Sequence, residues 1–319
     1  MKPRPTLAKV AHIAGVSKSS AANVLSGRRK MSAETTRRVL EAAKTLGYRA
    51  DTAASSLSRG RTLVIGLLVA EFVPGLVVTG ISAVFVQRCS AAGVVVTFAG
   101  QDRVQALIDS GIDMLIVLGT PDPDLYSELH LPFGLPVIGL EMLSGGQPGW
   151  GGHDAGAIAQ AVVDHFQVQG AQHIGWLMGP AARGTFEQWT PDLKQAAVAA
   201  GLGWSTDTHD GTAKSLEKSW RSLLGKGVDA VFSVGVDSSP LFDALASVGK
   251  AAPKDVLVVV QGEGIIEQAM TPKVSTLSLM AQESGVAIAD MCIATVTGQE
   301  VPPFELPFEL TVRESSVRA

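Results

Sequence analysis

The stretch Thr6-Leu7-Ala8-Lys9-Val10-Ala11-His12-Ile13-Ala14-Gly15-Val16-Ser17-Lys18-Ser19-Ser20-Ala21-Ala22-Asn23-Val24-Leu25-Ser26-Gly27 decides how the chain is read. Leu7, Val10, Ala11 and Ala14 recur at helical spacing behind Thr6, whose hydroxyl suits an N-cap. Gly15 supplies the left-handed turn that ends this helix. Ser17 is the next N-cap, and Ala21, Val24 and Leu25 form the buried stripe of a second helix. Its other face carries Lys18, Ser19, Ser20 and Asn23, and Ser26-Gly27 stops it. A third helix follows, capped by Ser32, with Glu34 in its first turn and Val39, Leu40, Ala43 and Leu46 as its apolar face. Lys44 sits in its last turn and Gly47 ends it. Two helices joined through Gly15-Val16-Ser17, the second opening on short polar side chains, describe a helix-turn-helix whose second helix can enter a major groove. The competing reading is an ordinary three-helix bundle.

Charge decides between them. Residues 1–61 hold 13 Lys and Arg against three acidic residues, a net +10, and the rest of the chain carries −14. A total of −4 therefore conceals a basic head on an acidic body. Concentrated positive charge on a short segment marks a polyanion binder, because each neutralised phosphate releases counterions. Apolar residues make up 46% of the 319, enough for one large or two moderate cores beside a small appendage. The longest apolar stretch, Leu63 to Ala70, is far short of the roughly 20 residues that cross a bilayer. No apolar run of signal-peptide length follows the basic Met1-Lys2-Pro3-Arg4-Pro5, so a cytoplasmic protein without membrane partners is expected. Cys89 and Cys292 have no metal-ligand neighbours at short spacing and read as two reduced, buried thiols.

Residues 50–61, Ala-Asp-Thr-Ala-Ala-Ser-Ser-Leu-Ser-Arg-Gly-Arg, read either as a short hinge helix capped by Asp51 or as a flexible linker, since only Ala53, Ala54 and Leu57 are apolar. Beyond them strand and helix alternate. Leu63–Val69, Val94–Phe98, Met114–Leu118, Pro136–Leu140, Ile174–Met178, Ala230–Val234 and Val256–Val260 are short apolar runs bounded by Gly or Pro. Helical stretches include Ala155–Gln169, Lys194–Ala200, Leu216–Leu224, Leu241–Val248 and Val286–Thr297. Continuous apolar strands between helices imply parallel sheets covered on both faces. The expected fold is thus α/β: an all-α headpiece (1–49), a hinge (50–61) and a two-lobed parallel-sheet domain (62–319). One lobe is expected over about 62–145 plus 278–301 and the other over about 146–277 plus 302–319. Crossings are expected near 141–153, 275–280 and 299–306.

Thr6-Leu7-Ala8-Lys9-Val10-Ala11, Ala14-Gly15-Val16-Ser17, Val24-Leu25-Ser26-Gly27, Ser32-Ala33-Glu34-Thr35, Gly47-Tyr48-Arg49 and Ser56-Leu57 resemble the lac repressor family of bacterial transcription regulators. Thr271-Pro272-Lys273-Val274-Ser275-Thr276 resembles that family's crossover segment, and Val312-Arg313-Glu314-Ser315 its closing strand. The resemblance implies a periplasmic-binding-protein-like body and a repressor that binds a near-palindromic operator in double-stranded DNA as a homodimer. It places Lys18, Ser19 and Asn23 where base edges are read, Ser17 and Ser20 where phosphates are touched, and Leu57 where a leucine wedge enters the minor groove. Thr6 and Arg28 complete the DNA-contact set. The chain also departs from the family. Lys9 replaces a usual acidic residue, which removes the capping partner of Thr6. Ala22-Asn23 replaces Ser-Arg, and Ala50-Asp51 replaces Pro-Asn in the hinge.

A body of this kind is expected to bind a small-molecule effector (a sugar, nucleoside or other metabolite) in the interlobe cleft. The candidates are Phe72 and Trp189 as apolar walls and Arg183, Asp237 and Glu263 as polar contacts. The family's polar set is otherwise eroded. Its Asn-Asp pair appears as Val236-Asp237, its Gly-aromatic-Asp-Asp turn as Val260-Gln261-Gly262-Glu263, and a cleft aromatic falls near Gly211. A DNA-binding protein whose degenerate body serves only to dimerise is therefore the second reading. Enzymatic function is not expected, because His12, His130, His153, His165, His173 and His209 are scattered and no Walker or dinucleotide motif occurs. No cofactor and no metal are implied. A secreted solute receptor would share the body but not the basic headpiece.

Overall fold

A computed structural model describes residues 6–26, 31–46, 48, 62–69, 76–118, 129–140, 152–182, 186–262, 265–299 and 305–318. The chain opens with α1 (Leu7–Ala14), α2 (Lys18–Ser26) and α3 (Ala33–Leu46). Val10, Ala11 and Ala14 of α1, Ala21 and Leu25 of α2, and Val39, Ala42 and Ala43 of α3 bury one another. So many alanines let three short helices approach closely around a thin core. Each helix begins at the hydroxyl that local chemistry selects. Thr6 Oγ1 accepts the Lys9 N–H at 3.3 Å, Ser17 Oγ that of Ser20 at 3.0 Å, and Ser32 Oγ that of Thr35 at 3.2 Å. Lys9 thus leaves the Thr6 cap intact, since the bond is to its backbone; what an acidic residue would add is the reciprocal side-chain bond.

Next come β1 (Val64–Val69), α4 (Leu76–Ala91), β2 (Val95–Gly100), α5 (Val104–Asp109), β3 (Met114–Leu118) and β4 (Val137–Leu140). They form a four-stranded sheet ordered β2-β1-β3-β4, with β1 parallel to both β2 and β3. The remainder comprises α6 (Ala155–Val168), β5 (His173–Met178), α7 (Thr190–Ala199), β6 (Gly203–Thr208), α8 (Ala213–Gly225), β7 (Ala230–Val234), α9 (Ser238–Ser247), β8 (Leu257–Gln261), β9 (Ser275–Ser278), α10 (Ala281–Val296) and β10 (Glu309–Thr311). Its six strands run β10-β9-β8-β7-β5-β6, parallel except for β10. Strand alternation sends Ala230, Phe232 and Val234 of β7 to one face with α6 and α7, and Val231 to the other with α8 and α9. Burial on both sides explains why β7 and β8 are apolar but for Ser233 and Gln261.

One expectation is corrected, and a second gains detail. The closing strand falls at Glu309–Thr311 rather than 312–315, where Glu314–Ser316 form a 3-10 turn. That turn is clipped to the sheet: Ser315 Oγ donates to the Val258 carbonyl at 2.7 Å and accepts the Ser275 N–H at 2.8 Å. The crossover near 275–280 opens as a sheet strand, β9, paired with both β8 and β10.

Contacts group the chain into two compact units, Met1–Glu71 with Cys89–Gly139 and Asp290–Val301, and Phe72–Arg88 with Leu140–Ala289 and Pro302–Ala319. Within the second unit, α4 up to Arg88 packs tightly on α10 up to Ala289. A Cβ on Gly285 would stand 2.9 Å from the Ile81 carbonyl oxygen and 3.1 Å from Val84 Cβ. Cys89 and Cys292 on these helices are buried free thiols. Burial, reinforced by Asp290, pushes the Cys89 thiol up to about 11.

Within the second unit, Gly152 bridges Glu305 and the Leu306 N–H bonds the Gly152 carbonyl at 2.8 Å. The adjoining His153 is 3% exposed. Burial lowers its pKa to about 4, against the opposing backbone contacts of Leu306 and Pro307. The folded chain therefore keeps this ring neutral where the unfolded chain, titrating near 6.5, takes a proton. Its contribution is complete above pH 6.5 and is lost as pH falls toward 4. His165, also lowered by burial, acts in the same direction. Urea unfolding across that window should show His153→Leu losing less stability than the wild-type chain, by up to about 3 kcal/mol. Parallel profiles would assign the acid sensitivity elsewhere.

Candidate nucleic-acid interface

The turn between α1 and α2 is fixed from three sides. Gly15 adopts φ 63°, ψ 40°, a left-handed conformation that lets its N–H bond the last carbonyls of α1. Val16 donates its N–H to the Ala11 carbonyl at 3.0 Å. Arg38 reaches across from α3 and donates Nη2 to the Gly15 carbonyl at 3.1 Å. The exit angle of α2 is thereby set by backbone and guanidinium bonds, independently of the side chains it displays.

On α2, Ala21 and Leu25 face the core and are buried. Ser19 and Asn23, four residues apart, share the opposite face; Ser19 is exposed and Asn23 half-buried. Lys18 is exposed on the flank. Ser17 Oγ lies 2.9 Å from Ser19 Oγ and 2.8 Å from Ser20 Oγ, so three hydroxyls cluster on the helix's first turn. Unpaired N–H groups and the positive end of the helix dipole favour phosphate there, while a hydroxyl, an ammonium and a carboxamide can bond base edges. The structure thus brings Thr6, Ser17, Lys18, Ser19, Ser20 and Asn23 into one headpiece. Arg28 and Leu57 lie outside the described residues. Arg38, which holds the turn, was not among the residues singled out from sequence; only its contact with Gly15, 23 residues earlier in the chain, reveals its task.

The effector candidates divide differently. Phe72, Arg183 and Glu263 lie outside the described residues. Asp237 is exposed at the start of α9, beyond the carboxyl end of β7, and makes no side-chain cap bond. Trp189 is 0% exposed and packs edge-on against Phe186 at 4.9 Å in the core under α6 and α7. Near the ends of β7 and β8 are polar groups that the sequence did not single out. Ser238 Oγ donates to Glu267 Oε1 at 2.7 Å in a buried pair, and the buried Gln261 amide nitrogen has no hydrogen-bond partner among the described residues. Carboxyl ends of parallel strands are where α/β folds take ligands. Among the described residues no group of three or more His, Cys, Asp or Glu is arranged to hold a metal, and no helix is long and apolar enough to cross a membrane.

Residues 6–51 match the family model described as bacterial regulatory proteins, lacI family, and residues 163–316 match the periplasmic binding protein-like domain. The regulator CelR of Thermobifida fusca is 26% identical, with 98% of each chain covered. PtxS of Pseudomonas putida is 26% identical over 99% of this chain and 97% of its own. Among solved structures, a lac repressor dimer bound to operator and the anti-inducer ONPF superposes with a TM-score of 0.70 at 19% identity, covering 99% of this chain and all of the other. A CelR–cellobiose complex gives 0.67 at 23% identity over 98% and 100%. Both show the same fold: a small helical headpiece followed by two parallel α/β sheets.

The cap and the hydroxyl cluster lead to an expectation for Ser17→Ala. Hydrogen exchange of the α2 amides in the full chain should rise by about fivefold, equivalent to roughly 1 kcal/mol for a lost N-cap, with α1 and the sheets unchanged. Unaltered α2 protection would show that Ser17 does not hold the helix start.

Proposed function

We propose that this chain, with its lacI-type headpiece and periplasmic-binding-protein-like body, is a DNA-binding transcription regulator that represses from a near-palindromic operator as a homodimer under a small-molecule effector. The observation that carries this reading is α2: one face buried by Ala21 and Leu25, the opposite face offering Ser19 and Asn23, in a segment of net +10. In this reading Lys18, Ser19 and Asn23 contact base edges, and Ser17 and Ser20 contact phosphates. Thr6 and Arg28 support the backbone contacts, and Leu57 enters the minor groove between half-sites.

Pairing is supported by β2, the edge strand of the four-stranded sheet. It exposes Val95 at 50% and Phe98 at 52%, an apolar edge of the kind soluble chains cover. The effector is assigned to the carboxyl ends of the body's strands, with Asp237 and Gln261 as described polar contacts and Phe72, Arg183 and Glu263 completing the set. Its class is a polar metabolite, a sugar or nucleoside in the first instance; the solved CelR complex holds cellobiose, and a ribose operon repressor from Halalkalibacterium halodurans is 25% identical over 98% of this chain. The second reading, a body that only dimerises, is favoured by the wholly core position of Trp189. A ligand that raises thermal stability and alters operator affinity supports the first reading, and no such ligand across a broad metabolite panel supports the second.

Selection from random duplexes should return a site with two-fold symmetry. On that site Asn23→Ala should relax base preference at one position per half-site, at about 1–3 kcal/mol per lost contact. Leu57→Ala should weaken the selected site more than scrambled DNA, and equal losses on all sequences would remove both assigned roles. Phe98→Glu should shift the sedimenting species from dimer to monomer and weaken the selected site. A dimer that persists unchanged would put the pairing surface elsewhere.

A further inference from the structure

A short segment of the body reaches the headpiece. Pro132-Phe133-Gly134-Leu135 is a tight turn closed by the Leu135 N–H on the Pro132 carbonyl at 3.1 Å, with Gly134 at φ 81°. At its tip the Phe133 N–H donates to the Leu25 carbonyl at 3.0 Å, and the ring packs against the cluster formed by α1, α2 and α3. Leu25 lies in the last turn of α2, where carbonyls have no partner within the helix. A polar orphan is thus satisfied and an apolar face covered by one residue from outside the headpiece.

The other end of this segment is tied to the four-stranded sheet. Gln105 on α5 accepts the His130 N–H on Oε1 at 2.9 Å, while its Nε2 donates to Asp109 Oδ1 at 2.8 Å. Leu129 and Leu135 pack on the core that contains Leu115 and Val117, and the Leu115 N–H bonds the Pro136 carbonyl at 2.9 Å. The turn is therefore clipped to α5 before its tip and to β3 after it. Leu25 is six residues, about 9 Å along the axis, from Ser19, so the contact lies away from the first turn of α2.

We propose that Phe133 is a positioning residue that latches the reading helix to the lobe carrying β1–β4, giving the body a direct grip on α2 that does not pass through residues 50–61. Its purpose rests on the DNA-reading function proposed above, but its existence does not. A grip of this kind works in both directions, because coupling between two sites is reciprocal. Whatever shifts α5 or β3 shifts the clipped turn and with it α2, and DNA that holds α2 stabilises the turn.

The test is hydrogen exchange of the full chain, with and without the duplex that the wild-type chain selects. Phe133→Ala and Gly134→Ala, the second of which strains the left-handed turn while keeping the ring, should each speed α2 exchange by about tenfold. Phe133→Leu, which keeps an apolar contact, should stay near wild type. Protection of β1 and β3 should not change in any variant, which shows that the body is folded. Adding the selected duplex should slow exchange across residues 129–135 in wild type but not in Phe133→Ala, a response that a passive brace would lack. The latch is overturned if α2 exchange is the same in both disruptive variants, or if the duplex leaves residues 129–135 unaffected. Should the wild-type chain select no duplex at all, the functional reading falls, and the DNA-free comparison still decides the latch.

Discussion

A helix that reads a groove has to leave one face uncovered, and every other feature of the headpiece answers that constraint. Among the described side chains of α2, Ala21 and Leu25 are the ones buried, so packing alone defines its position weakly. The deficit is met by directional bonds at both ends. Ser17 caps the first turn, Arg38 and Gly15 fix the approach, and the Phe133 N–H takes a carbonyl of the last turn. Domains of this size bury too little surface to be rigid by core contacts alone, which is why bonds of defined direction matter more here than elsewhere in the chain. The exposed Arg37–Glu41 pair, at 3.0 Å, adds little by comparison.

The body obeys the opposite demand. Its six-stranded sheet is covered on both faces at its centre, and the central strands β7 and β8 are correspondingly rich in apolar residues. Polar groups survive chiefly at the margins, where they are either paired, as in the Ser275–Ser315 clip, or left open, as at Gln261. A buried amide nitrogen without a partner is costly to maintain, so its place near a sheet's carboxyl edge is better explained by an intermittent partner than by packing. The division of charge serves the same separation of tasks. A head of +10 is drawn to a polyanion while a body of −14 is held away from it, so the chain approaches DNA headpiece first.

How much of this was legible depended on whether the signal was local. Caps at Thr6, Ser17 and Ser32 and the strands β3 and β7 are written in adjacent residues, and the chain adopts them where the sequence puts them. β6, Gly-Trp-Ser-Thr-Asp-Thr, escaped notice because an edge strand needs no continuous apolar run. α4 is apolar on nearly all sides and rich in β-branched residues, so its period carries no helical stripe. Trp189 shows a different limit: an apolar side chain that walls a ligand and one that fills a core look the same in a sequence. Phe133 shows a third. Pro-Phe-Gly announces a turn, but nothing adjacent to it announces the distant Leu25 carbonyl that it meets.

The small number of reading side chains bears on why pairing and latching belong together. In the proposed reading one headpiece presents Lys18, Ser19 and Asn23 to base edges, and a good bidentate contact discriminates by about 1–3 kcal/mol. Separation of a specific site from bulk DNA takes about 4–10 kcal/mol, more than Lys18, Ser19 and Asn23 supply together at the lower end of that scale. Two copies on a symmetric site double the discrimination, provided that both headpieces meet their half-sites without a fresh ordering penalty. Every degree of freedom left to α2 relative to the body would be lost on binding and subtracted from that sum. A turn that fixes α2 beforehand reduces the subtraction.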